Sequence, residues 1–424
     1  MIDIKLLRAN PDEYRQAARA KNISCDLDAL LDVDRRLLDA QRELQDIKTA
    51  QNKAGKEIAQ LQGPAKQAAI AQMTELKKRA KELSDTVTEL EPKFQELMLL
   101  VPQPADPEVP LGRDDTENVE LRRVGEVRKF DFTPKDHIEL GTALDIIDVD
   151  RGVKLAGSRN YVLKGAGALM HQAILRLALD QMVAKGYTLM TVPVLVNESV
   201  MEGTGYFPVG RDQAYLCERD AQALVGTAEV PVTAYHCGEI LAEADLPRKY
   251  VALSTCFRRE AGAAGKDTYG LYRIHYFDKV EQVILGPNDV SASKAFHQEI
   301  LRNSEDMLNA LGLPYRVVNV CTGDLGQGQV QKFDIETWMP SRGNYGETHS
   351  ASRFYEFQAR RLNIRYRAAD GSLKFCHTLN NTVIASPRVL IPVLELYQNA
   401  DGSVTVPPAL RPYMGGMERI TGRA

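Results

Sequence analysis

Two stretches of the chain repeat their apolar residues every seven positions, each with a companion row three residues on. In the first, Leu30, Leu37, Leu44 and Ile58 alternate with Val33, Ala40, Ile47, Ala54 and Leu61, and only Gln51 interrupts the row. In the second, Met73, Ala80, Val87 and Phe94 alternate with Leu76, Leu83, Leu90 and Leu97. Such a seam is the mark of paired helices. Gly63-Pro64 breaks the pattern between them, so the spacing predicts an antiparallel hairpin over about residues 27–100. Helices of about 30–35 residues reach roughly 50 Å, which predicts an arm projecting into solvent. Pro92 removes a backbone donor inside the second helix and predicts a bend near the base of the arm.

The pattern changes after the arm. Residues 101–115 (VPQPADPEVPLGRDD) concentrate prolines and acids and read as a linker, which divides the chain into an N-terminal domain over 1–110 and a second domain over 111–424. Beyond residue 130, short β-rich runs and helical stretches follow one another without the spacing of βαβ units. The expected fold class is therefore α+β, an antiparallel sheet flanked by helices.

Charge sharpens the view of the arm. The whole chain carries a net charge of -4, so any attraction for nucleic acid must be local. Residues 42–81 hold nine basic side chains, among them Lys48, Lys53, Lys56, Lys77, Lys78 and Arg79, against four acids, whereas Asp26, Asp28, Asp32, Asp34 and Asp39 crowd the base. Two readings fit: solvated coiled-coil faces, or an antenna whose distal half touches phosphates. The six cysteines form no CxxC pair, no apolar run approaches a membrane span and the N-terminus lacks a secretory h-region, which predicts a cytoplasmic protein with free thiols.

The second domain carries the chemistry. It has neither a GxxxxGK[ST] nor a GxGxxG loop, so any nucleotide must be held by side chains. Residues 250–260 (YVALSTCFRRE) read as a strand, 261–271 as a glycine-rich loop and 272–284 (YRIHYFDKVEQVI) as the returning strand. Strand alternation puts Arg258 and Glu260 on one face of the first strand, and Arg273, His275, Phe277, Lys279 and Glu281 on one face of the second. Guanidinium, ring and carboxylates on one surface suit adenylate formation, which needs a cation at the α-phosphate, a flat ring under adenine and acids for an ammonium group or Mg²⁺. A charged solvent face of an antiparallel sheet accounts for the same spacing.

The literal sequence separates these readings. FRREAGAAGKDTYGLYRIHYFDKVE (257–281) resembles motif 2 of class II aminoacyl-tRNA synthetases in the form found in seryl-tRNA synthetases. Thr227-Ala228-Glu229 resembles that family's TAE serine-binding element, residues 189–208 around Pro193 resemble motif 1 of the dimer interface, and Glu347-Thr348-His349-Ser350, Asn380-Asn381-Thr382 and Arg388 stand where later serine and ATP contacts and motif 3 are found. The resemblance runs from MIDIKLLRANPDEYR to LRPYMGG. It implies the class II synthetase sheet with an N-terminal two-helix arm, a homodimer, and activation of L-serine with ATP and Mg²⁺ followed by transfer to tRNA(Ser), with tRNA(Sec) left open. It also favours the antenna reading of the arm.

Carried over by position, the resemblance implies serine contacts from Thr227, Ala228, Glu229, Glu281, Asn380 and Thr382. ATP contacts are implied for Arg258, Arg259, Glu260, Phe277, Glu347, Thr348, His349, Ser350 and Arg388. Of these, Arg258 and Arg388 are the catalytic cations and Glu347 and Ser350 the Mg²⁺ ligands. Arg259, Tyr276, His349 and Pro387 depart from the commoner family pattern. Alternation turns Arg259 and Tyr276 away from Arg258 and Phe277, and Pro387 is expected at the first position of a helix, with Pro392 disturbing that helix. Two other readings compete: an inactive paralogue acting as an interaction protein, and an enzyme that loads an amino acid onto a carrier protein.

Overall fold

The structure is a computed structural model that describes residues 1–58, 60–262, 265, 267 and 269–422, apart from the side chain of Glu57. By packing, the chain divides into Ile2–Arg19 with Ile23–Pro102, and Gln103–Ala424 with Met1 and Ala20–Asn22. Of the glycine-rich loop read at 261–271, Ala263, Ala264, Lys266 and Thr268 lie outside the described residues.

In the first unit the heptad rows become α1 (Leu27–Ile58) and α2 (Gly63–Leu100). Val33 and Leu37 pack against Leu90, Val87 and Phe94, and Ala40 and Ile47 against Leu83, Leu76 and Ala80. The falling numbers on one helix against the rising numbers on the other make the pair antiparallel. Past Ile47, the seam positions Gln51, Ala54 and Ile58 are only half-buried, because two helices alone cannot cover a seam as a fuller core would. Two details differ from the sequence expectation. Leu61 lies beyond the end of α1. Gly63 and Pro64 open α2 instead of forming the connection, since a proline in the first turn lacks only an N–H that had no helical partner. The helix continues through Pro92, with Leu90 and Met98 buried on either side.

The second unit is built on eight strands: β1 (Val119–Val124), β2 (Thr188–Met190), β3 (Arg248–Phe257), β4 (Tyr276–Gly286), β5 (Tyr315–Asn319), β6 (Gln331–Met339), β7 (Asn344–Tyr355) and β8 (His377–Ser386). Their order across the sheet is β1-β5-β6-β7-β8-β4-β3-β2. Every pairing is antiparallel except that of the edge strand β2 with β3. The helices that matter for the site are α3 (His137–Ala143), α4 (Gly165–Ala184), α5 (Val290–Ala310) and α6 (Leu390–Leu396).

Alternation along β4 sorts its two faces. Val280 and Ile284 join Ile174 and Ala178 of α4 and Ile300 and Met307 of α5 in the main core, and the Gln282 amide donates to the Ile300 carbonyl at 3.0 Å. Phe277, Lys279 and Glu281 turn the other way, toward a cavity. A parallel sheet wrapped on both faces by crossover helices would have left no such open polar face.

Candidate active site

The cavity, about 190 Å³, sits over the middle of the sheet and adjoins a wider one of about 570 Å³ that shares Tyr206, Arg258, Glu260, Tyr272, Glu347 and Arg388 with it. Two bulges shape its floor. Between β4 and β8 the register shifts at Val280/Glu281, which sets Glu281 opposite Thr382. Between β6 and β7 it shifts so that His349 faces Ile335 while Glu347 faces Glu336, leaving Thr348 as the extra residue. A regular strand would send Glu347 and Ser350 to opposite faces; the bulge lets both line the cavity.

The inner end is acidic and its carboxylates are buried. Glu229, in the short helix Glu229–Thr233, accepts from Tyr206 Oη at 2.8 Å and Gln358 Nε2 at 2.7 Å. Burial, with Glu281 nearby, pushes its carboxyl up to about 7 against those hydrogen bonds. Glu281 is paired with Lys279 in a buried ion bridge and accepts from Thr227 Oγ1 at 3.3 Å. Asn380 Nδ2 is buried with no partner among the described residues, a donor that a ligand can satisfy.

The outer end is cationic. The Arg258 guanidinium lies 5.1 Å from the ring centre of Phe277, and that of Arg388 lies 4.5 Å from Tyr272. Arg388 also donates from Nε to the Tyr272 carbonyl and from Nη1 to the Glu347 carbonyl, both at 3.0 Å. Burial pushes the Glu347 carboxyl up, but Arg388, Lys332 and Arg258 more than offset this and hold it below its ordinary value. His349 is driven down to about 3 by burial and stays neutral, its Nδ1 2.8 Å from Thr348 Oγ1.

Of the residues singled out in the sequence, Glu229, Arg258, Glu260, Phe277, Glu281, Glu347, Thr348, His349, Ser350, Asn380, Thr382 and Arg388 converge on the inner cavity. Arg259, Ala228 and Thr227 do not line it. Arg259 turns outward and donates to the Asp212 carbonyl at 3.2 Å. Ala228 packs into an apolar cluster behind the site with Val232 and Leu241, and Thr227 acts from behind Glu281. The Thr348 hydroxyl is already engaged with Thr337 Oγ1 at 2.7 Å. Glu260 is paired with Arg273 and has a positive φ of 52°; the strand that the sequence extended to it ends at Phe257, and the returning strand begins at Tyr276 instead of Tyr272. Tyr276 faces away, stacked on Tyr161 with centroids 4.8 Å apart.

Motif 3 is also corrected. Arg388 lies in the turn between β8 and α6, not in a helical first turn begun by Pro387. Pro392 leaves α6 intact because it falls in that helix's first turn, where its missing N–H has no helical partner.

Sequence reasoning missed Tyr206, Tyr272, Gln329 and Gln358. Lys279 was legible as a neighbour of Phe277 and Glu281 on one strand face but was not given a role. Tyr206 and Gln358 come from segments distant in the chain, and only the fold brings them to Glu229. On the arm, Lys48, Lys53, Lys56, Lys77 and Lys78 are exposed and carry no ion pair among the described residues. Arg79 differs, since it is held by Glu43 of the facing helix at 2.7 and 2.8 Å.

Comparison with known proteins bears on the whole chain. Residues 1–104 match the family described as seryl-tRNA synthetase N-terminal domain, and residues 215–397 match the tRNA synthetase class II core domain (G, H, P, S and T). The chain is 44% identical to the serine–tRNA ligase of Deinococcus radiodurans over 418 residues, 99% of this chain and 98% of that protein. It is similar to the crystal structure of seryl-tRNA synthetase from Pyrococcus horikoshii complexed with ATP, with a TM-score of 0.93, 36% identity and complete coverage of both chains. The cytoplasmic serine–tRNA ligase of Naegleria fowleri in complex with AMP gives a TM-score of 0.87 at 30% identity, over 100% of this chain and 99% of the other. The inactive-paralogue reading gains no support from these similarities.

Proposed function

The chain belongs to the seryl-tRNA synthetase family and ligates serine to tRNA with ATP as substrate, and on that premise we propose how its residues divide the work. The observation that carries the assignment is the polarity of the cavity, with two buried carboxylates at one end and two arginines over aromatic rings at the other. Serine enters the acidic end. Glu281 and Glu229 take its ammonium group, and Asn380 with Thr382 takes its hydroxyl, filling the bond that Asn380 Nδ2 lacks. Thr227 supports Glu281 from behind. A pocket built this way rejects alanine by a factor on the order of 10⁴, because the analogue leaves buried polar groups unpaired. Threonine is excluded by size.

ATP occupies the outer end, with adenine on Phe277 in place of the Arg258 guanidinium that now covers the ring. Arg258 then neutralises charge at the α-phosphate and Arg388 holds the γ-phosphate. The serine carboxylate is already a nucleophile, so the first step needs alignment and charge neutralisation, not a general base. Glu347, kept ionised, and Ser350 offer oxygen ligands that suit Mg²⁺, and among the described residues no cluster of three metal-ligating side chains competes for it. When bound, that ion offsets phosphate charge.

Residues 1–110 serve as the tRNA-binding domain, in which Lys48, Lys53, Lys56, Lys77 and Lys78 meet tRNA(Ser) phosphates, and residues 111–424 form the catalytic domain. Arg79 contributes less, as Glu43 neutralises it. The exposed apolar side chains Leu189 and Leu195 in the motif 1 segment, with Val209 just beyond it, support a homodimer. No helix among the described residues is long and apolar enough to cross a membrane, which fits a cytoplasmic enzyme. Serine-dependent ATP–pyrophosphate exchange, with alanine, threonine, glycine and cysteine as controls, tests the site. Exchange with serine alone is expected; exchange with none of them would overturn the assignment.

A further inference from the structure

One buried histidine lies outside this chemistry yet touches the framework of the ATP end. His137 opens α3, whose N-cap Asp136 accepts from Ile138 N and Glu139 N at 2.8 and 2.9 Å. Its imidazole is buried between the return of the 261–271 loop and α6. Nδ1 is 2.7 Å from Glu395 Oε1, and Nε2 is 3.2 Å from the Leu271 amide nitrogen. A backbone N–H can only donate, so Nε2 carries its lone pair and the ring proton sits on Nδ1, aimed at Glu395. Glu395, fully buried, accepts twice more, from His137 N at 3.1 Å and from Ser341 N at 2.8 Å. Close approach is built in: at Gly270, where φ is +76°, a Cβ would fall 2.3 Å from His137 Nε2.

Both partners of this imidazole lead to the ATP end. Leu271 precedes Tyr272, whose carbonyl accepts from Arg388 Nε and whose ring lies 4.1 Å from the Arg342 guanidinium and 4.5 Å from that of Arg388. Glu395 stands on α6, the helix that follows Arg388. The imidazole therefore spans the two segments that must stay in register for the Arg388–Tyr272 contact to exist. We propose that His137, as the Nδ1-protonated tautomer, is a positioning residue for ATP that locks the loop return onto α6 and so sets Arg388 at the phosphate end of the cavity. This rests on the assignment of Arg388 to ATP made above.

Two amides separate the roles of the two ring nitrogens. Asn at position 137 can reproduce the donor to Glu395 but not the acceptor for Leu271, and Gln can reach Leu271 with its oxygen. In pyrophosphate exchange on the full-length enzyme, His137→Asn should raise KM for ATP about 10-fold, the worth of one buried hydrogen bond, and leave KM for serine within about twofold. His137→Gln should recover most of that loss. Equal effects of the two variants, or parallel rises in both KM values, would mean that the residue only fills space, and the proposal would fail. The wild-type enzyme supplies an independent readout should a variant not fold: ¹⁵N-histidine spectra, with the seven histidines assigned, should show His137 protonated at Nδ1, and an Nε2-protonated ring would overturn the idea. Arg388→Ala is the control for the premise. If it leaves KM for ATP unchanged, the ATP assignment itself is wrong; if it raises KM while His137→Asn does not, only the role of His137 is wrong.

Discussion

The arm and the catalytic sheet use the same charged residue types in opposite surroundings. On the arm, lysines stand in water along a thin seam, and the one cross-helix bridge described there, Arg79 with Glu43, leaves both side chains about half exposed. In the cavity, Glu229, Lys279 and Glu281 are buried together and Glu347 faces Arg388, Lys332 and Arg258, so that neighbouring charges shift the proton affinity of Glu229 and Glu347. The arm therefore acts as a field that salt can screen, whereas the cavity acts through individual groups tuned by burial.

Arg258→Ala should break the comparison hardest. Losing the cation that faces developing phosphate charge should lower serine-dependent exchange by about 10³-fold, with the fold retained by circular dichroism. Near-normal exchange would remove the site assignment. Next is deletion of residues 42–81, which should spare exchange while tRNA charging falls by about 10²-fold, and charging by the intact enzyme should weaken steeply as salt rises. Unchanged charging would exclude the antenna.

A third test uses Glu229. Its carboxyl rises from an ordinary 4.5 to about 7 in the fold, chiefly by burial, so between those values the folded state holds a proton that the unfolded chain has released. Stability of the enzyme without substrates should therefore decline as pH rises from about 4.5 to 7, by an amount on the order of 3 kcal/mol, and then level off. Glu229→Gln should flatten that decline in urea titrations while losing serine-dependent exchange. A wild-type profile already flat across this window would show that the carboxylate is not strained. The smallest effect belongs to Glu43→Gln on the arm: no measurable change in melting temperature is expected, because an exposed pair contributes little.

How far the sequence was legible differs between the same two regions. The arm's seam was readable because helical period depends only on local spacing, and Val33, Leu37, Leu83 and Leu90 are buried where the heptads put them. Alternation along β4 likewise placed Phe277, Lys279 and Glu281 on one face. The strand read as far as Glu260 ends at Phe257, and alternation gives no sign of the bulge at Thr348 that lets Glu347 and Ser350 reach the same cavity. The helix expected from Pro387 starts instead at Leu390.

The sequence by itself determined the two-helix arm, the antiparallel class of the sheet, the family resemblance and which charged residue types were available for chemistry. Periods and motifs are local properties of the chain, and side-chain direction follows from them wherever the backbone stays regular. Tertiary structure alone decided which polar groups became partners: Tyr206 and Gln358 on Glu229, Lys332 and Arg388 around Glu347, and His137 between Leu271 and Glu395. Those pairings join residues far apart in the chain, and no periodicity encodes the register shifts and close backbone approaches that bring them within hydrogen-bond reach.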